Sequence, residues 1–180
     1  MTGHKTVDDY VPIARSMTGD AFVQRYCYPF LFGREVLEEE FRFATQVTDA
    51  KAASLAAEPA EQLRIHHWVI AVRKPAAAPA QDRIFLGRSE TNDVCVPHKT
   101  VSKLHAYFQK EVARDPKDVS WFLVDAGSAN GTKHNGARIV PRTRAALHDG
   151  DALVFGRCVF SWMTARSLYE RVLALASSPN

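Results

Sequence analysis

Cysteine is scarce in this chain: its 180 residues hold three, Cys27, Cys95 and Cys158, with no Cys-x-x-Cys pair and no regular spacing. That argues against a disulfide framework and sets the expectation of a reducing, cytoplasmic compartment. Long apolar runs are missing too. None approaches membrane-spanning length, and the first nine residues lack the apolar core of a signal peptide, so a soluble chain with no membrane partner is expected. The formal net charge of +3 is too small to argue for nucleic acid as a partner. Enzyme signatures are absent as well: there is no Gly-x-x-x-x-Gly-Lys-Ser/Thr phosphate loop and no Gly-x-Ser-x-Gly elbow. The seven histidines, the adjacent His66 and His67 among them, lack metal-ligand spacing with one another or with the cysteines. The expectation is a protein that is not an enzyme and holds no cofactor and no metal.

What is present is globular. Hydrophobic residues make up 46% and charged residues 24% of a chain long enough for one domain with an attached arm, which excludes wholesale disorder. Charge is unevenly spread: residues 1–65 carry 7 Lys/Arg against 10 Asp/Glu, whereas residues 66–163 carry 14 against 9. The basic excess favours an anionic partner for the later segment.

Residues 7–26 repeat apolar side chains at spacings of three and four, which predicts short helical turns interrupted by Pro12 and Gly19. Residues 26–34 are dense in aromatics, an area costly to leave in water, so they should dock onto the rest of the chain or onto another protein. Residues 35–57 read as a helix start, a strand at 41–47 and an Ala-rich stretch, with a boundary near Leu63. Then the pattern changes to short β-branched and aromatic runs at 67–72, 83–86, 94–96, 106–108 and 121–125, with a terminal hairpin over 147–162. Prolines at 74–80 and charges at 113–118 mark loops, and Asn135-Gly136 suits a type I′ hairpin. Many short strands separated by turn residues predict an all-β sandwich. An amphipathic helix over 167–176, with Leu168, Val172 and Leu175 on one face, follows it.

Four polar motifs follow these runs in order: Gly87-Arg88, Ser102-Lys103-Leu104-His105, Asn130-Gly131 and Asn135-Gly136. An arginine fork grips two phosphate oxygens, serine and lysine add donors, and an asparagine amide satisfies an extended peptide backbone. In this order, over about residues 66–163, the chain resembles the forkhead-associated (FHA) domain, a phosphothreonine-binding β-sandwich. The resemblance implies an all-β, FHA-like sandwich of two antiparallel sheets at 66–163. It would be flanked by a mixed, helical N-terminal extension at 1–65 and a short C-terminal helix and tail at 164–180. It also implies Arg88, Ser102, Lys103 and Asn130 as the phosphopeptide-binding residues. Gly87, His105, Gly131, Asn135 and Gly136 would support the binding loops, His105 as a hydrogen-bonded structural residue. Ala129 departs from the family, many of whose members carry Thr or Ser there. Phe32-Gly33-Arg34 echoes Leu86-Gly87-Arg88, but none of the later motifs follows it, so a second unit is rejected.

The expected function is a phosphothreonine-dependent protein-binding module, a signalling adaptor or scaffold whose partners are substrates of a Ser/Thr kinase or the kinase itself. The rival is a phosphate-independent interaction or self-assembly domain working through the aromatic N-terminal segment. Self-association has one concrete route. Thr6 has Asp9 at the third position after it, an acidic residue of the kind the family commonly favours beyond phosphothreonine, on a terminus expected to reach a neighbouring molecule.

Overall fold

The computed structural model of the chain describes residues 5–35, 67–75, 82–115 and 119–177. The strand expected at 41–47, the Ala-rich stretch and the boundary near Leu63 lie outside the described residues, as do parts of the loops at 74–80 and 113–118.

Among the described residues, two sheets enclose the core. Seven strands form one of them in the order β1 (Lys5–Thr6), β3 (Trp68–Ala71), β2 (Phe30–Glu35), β12 (Cys158–Met163), β11 (Ala152–Phe155), β8 (Thr132–His134) and β9 (Ala137–Arg138). The other runs β10 (Arg144–Leu147), β7 (Val119–Asp125), β6 (Ala106–Val112), β4 (Arg83–Gly87) and β5 (Val94–Cys95). Neighbours are antiparallel except β4 and β5, which run parallel, a departure from the purely antiparallel expectation. Between the sheets Leu31, Ile70, Leu153, Phe155 and Phe160 meet Leu86, Phe108 and Leu123, all buried.

A second core lies on the opposite face of β2 and β3, under α1 (Val7–Arg15), α2 (Gly19–Arg25) and α3 (Ala165–Ser177). Successive strand residues point to opposite faces. Phe30 and Phe32 therefore enter this helical core with Val7, Phe22, Leu168 and Val172, while Leu31 enters the other. A strand covered on both sides has no need of polar alternation, which is why this stretch reads as one apolar run. The aromatic segment does dock, and it does so as an interior strand paired with both β3 and β12.

The segment 1–65 is thus not wholly an arm beside the sandwich, because β1 and β2 are strands of its larger sheet. Glu35 closes β2 instead of starting a helix. Pro12 lies inside α1, forgoing one backbone hydrogen bond without ending the helix. Thr6 is not on a free terminus: it pairs with Trp68 across β1 and β3, and its N–H donates to Asp9 Oδ2 at 2.7 Å at the start of α1. The acidic residue that a self-ligand would offer is engaged within its own helix. The C-terminal helix buries Ala165, Leu168, Val172 and Leu175, the face that the spacing predicts. Leu168→Ala is expected to cost about 2–5 kcal/mol of stability, whereas Glu170→Ala, on the exposed side, should change it by less than about 0.5 kcal/mol; denaturant unfolding of the two variants measures the difference.

Candidate functional site

β4 ends against the next loop so closely that a Cβ on Gly87 would lie 2.2 Å from the Lys103 carbonyl oxygen. A side chain there would push the two backbones apart. Their approach allows the Arg88 N–H to donate to the Ser102 carbonyl at 2.9 Å and the Ser89 N–H to the Lys103 carbonyl at 3.4 Å. Asn92, which the motif reading missed, closes the join: its amide donates to the carbonyls of Lys103 at 2.7 Å and Ser89 at 2.8 Å. The only signal for it was turn composition in Ser-Glu-Thr-Asn. Arg88 and Lys103 thus stand exposed on neighbouring backbones, and among the described residues neither has a carboxylate partner.

Ser102 is held from two directions. Its N–H donates to His105 Nδ1 at 3.0 Å, and its hydroxyl oxygen accepts the Ala129 N–H at 3.0 Å. The hydroxyl proton has no acceptor among the described residues. Because Nδ1 of His105 accepts, its Nε2 carries the proton and donates to the Gly131 carbonyl at 3.3 Å. His105 is fully buried, and burial holds its pKa below the ordinary value against the opposing pull of the Gly131 bond and the Asp125 charge. It is a neutral post between the loop of Ser102 and the loop of Asn130.

The second loop is organised by Asp125, the last residue of β7 and another that the motifs did not reveal. Its carboxylate accepts from Gly127 N–H at 2.7 Å, Ser128 N–H at 2.9 Å, Ser128 Oγ at 2.7 Å and Thr132 Oγ1 at 2.6 Å. Burial pushes this carboxyl's pKa up, yet the hydrogen bonds, that of Thr132 foremost, outweigh burial and hold it below the usual range. Gly131 takes φ +75° within the turn. Asn130 is exposed, and its Nδ2 donates to the Thr100 carbonyl at 2.7 Å, which fixes the amide, while its oxygen and second proton have no partner among the described residues. Beside it opens a cleft of about 190 Å³ lined by Thr100, Asn130, Lys133 and Arg157 among others.

The structure brings Arg88, Ser102, Lys103 and Asn130 onto adjoining loops with Gly87, His105 and Gly131 beneath or between them. Asn135 and Gly136 belong elsewhere. Their φ values of 48° and 84° turn the chain between β8 and β9, and Asn135 bonds to Asp151 Oδ1 at 2.8 Å and to both backbone polar groups of Ala152 in β11. They steady the sheet, not the Arg88 and Ser102 loops directly. Cys158 is buried, which raises its pKa to about 12 and keeps the thiol protonated. Among the described residues no group of three His, Cys, Asp or Glu side chains could hold a metal ion.

Comparison with known proteins finds a family model that matches part of the chain. Residues 84–156 match the family model of the FHA domain. Human kanadaptin is 37% identical over 77 residues, covering 40% of this chain but 10% of its own length, so the chain spans about a tenth of that relative. The crystal structure of full-length yeast Pml1p superposes with a TM-score of 0.50 at 16% identity, over 82% of this chain and 93% of Pml1p, a likeness of fold. The yeast Dun1 FHA domain, solved by NMR in complex with a doubly phosphorylated peptide, gives 0.49 at 20% identity over 85% of this chain and 79% of that one.

His105 fixes the sign of a pH effect. With a folded pKa below its unfolded value, it makes the folded state bind fewer protons, so stability present above the ordinary value near about 6.5 is lost as pH falls through it. Thermal melts are expected to show the unmodified chain weakening as the pH falls below about 6.5. His105→Ala should lower stability at pH 7 by about 1–3 kcal/mol, through the polar partners it strands, and should lose part of that pH slope.

Proposed function

We propose that this chain, whose residues 84–156 match the FHA domain, uses the loops after β4, β5 and β7 to bind phosphothreonine in a partner protein, without catalysis. Arg88 and Lys103 supply the positive charge that a phosphate dianion requires. The free proton of the Ser102 hydroxyl adds a donor, and the Asn130 amide reads the peptide backbone. The observation that carries this reading is the pair of exposed cations that have no carboxylate partner among the described residues, held on backbones joined by the Arg88–Ser102 bond of 2.9 Å. Such a module would work as a signalling adaptor or scaffold in the cytoplasm, meeting substrates of a Ser/Thr kinase or the kinase itself. Ala129 offers no hydroxyl to phosphate, but its N–H is spent in fixing Ser102, a task any residue but proline would perform. The phosphate-independent alternative draws little support from the aromatic segment, whose Phe30, Leu31 and Phe32 are buried in the two cores.

The test is to select a phosphothreonine peptide from an oriented library and titrate it calorimetrically. Arg88→Ala is expected to weaken binding about tenfold to a hundredfold, the loss of a charge-assisted contact of about 1.5–3 kcal/mol, with unchanged melting. Unchanged affinity in a folded Arg88→Ala protein would refute the phosphate assignment.

A further inference from the structure

The bond from Asn130 to the Thr100 carbonyl continues into a network that ends on a different part of the chain. Thr100 N–H donates to His98 Nδ1 at 3.3 Å, so that nitrogen is an acceptor, and the Thr100 hydroxyl 2.7 Å away donates to it as well. The same hydroxyl oxygen accepts the Arg157 N–H at 2.9 Å. With Nδ1 accepting, His98 carries its proton on Nε2 and donates to Glu35 Oε1 at 2.8 Å. Arg157 Nη2 donates to that same oxygen at 2.9 Å, closing a ring of hydrogen bonds. Every donor and acceptor in this ring has a defined direction. These bonds hold the Glu35 pKa below its ordinary value although burial opposes the shift.

The backbone is equally confined. Gly156, at φ +60°, lies so near Thr100 that a Cβ would stand 2.4 Å from its hydroxyl and 2.5 Å from its carbonyl oxygen. Thr100 is therefore clamped between the turn joining β11 to β12 on one side and, through His98, the end of β2 on the other. The acceptor that orients Asn130 is the carbonyl of this clamped residue.

We infer that Glu35, the last residue of β2, is a positioning residue for the peptide-reading amide of Asn130, acting through His98 and Thr100. The inference rests on the phosphopeptide reading of Asn130 and extends it to a strand outside residues 84–156. Ligand affinity then depends on the carboxylate of a residue that touches no ligand, and on the fit of β2 against the β11–β12 turn.

Two measurements on the full chain test it. In the free protein, Glu35→Gln and Thr100→Val, which removes the hydroxyl with little change of shape, are each expected to move the NMR resonances of the Asn130 side-chain amide. With the selected phosphothreonine peptide, Glu35→Gln is expected to raise Kd about fivefold or more, and to have little further effect once Asn130→Ala is in place, because the two residues act in one chain. Unmoved amide resonances in both folded variants would overturn the inference, as would equal losses from Glu35→Gln with and without Asn130. If the unmodified chain binds no phosphothreonine peptide, the functional reading fails, while the amide resonances of the free protein still decide whether Glu35 positions Asn130.

Discussion

A neutral imidazole sits where the two loops of the site meet, and the exposed groups depend on it. His105 accepts from the backbone of Ser102 with one ring nitrogen and donates to the backbone of Gly131 with the other. Only a side chain with one acceptor and one donor on opposite sides of a rigid ring can do both. Protonation would turn the acceptor into a second donor facing the Ser102 N–H, so burial and the bond from Ser102 favour the same charge state. Its own backbone continues the join, with N–H donated to Leu86 and carbonyl accepting from Ala126, at the ends of β4 and β7.

Around this post the polar groups follow a division of labour. Those that fix backbone are buried or partnered: Asp125 gathers four donors, Asn92 bridges two carbonyls, and Thr100 is confined on several sides. Those available to a ligand, Arg88, Lys103, one proton of Ser102 and part of the Asn130 amide, are held by backbones that cannot shift independently. Such preorganisation lowers the ordering cost of binding.

The sandwich and the C-terminal helix could be read from the sequence because local composition and spacing report burial: short β-branched and aromatic runs between turn residues marked the strands, and a three-four spacing marked Leu168, Val172 and Leu175. The motif residues were equally visible, since glycine beside arginine and asparagine beside glycine carry strong local constraints. β2 could not be read in the same way. A strand buried on both faces loses its alternation, and its partners β3 and β12 lie far along the chain. Asp125, Asn92 and Glu35 escaped for a related reason: each acts on backbone or side chains that only the fold brings near, and no single-residue pattern encodes such contacts.

The account turns on whether phosphate meets the loops joined by His105. Titrating the isotope-labelled chain with a phosphothreonine peptide and with its unphosphorylated counterpart, followed by NMR of the backbone amides, measures this directly. The account predicts shifts concentrated at Arg88, Ser102, Lys103 and Asn130, and only with the phosphorylated peptide. Equal shifts from both peptides, or shifts confined to the helices packed on β2 and β3, would contradict it.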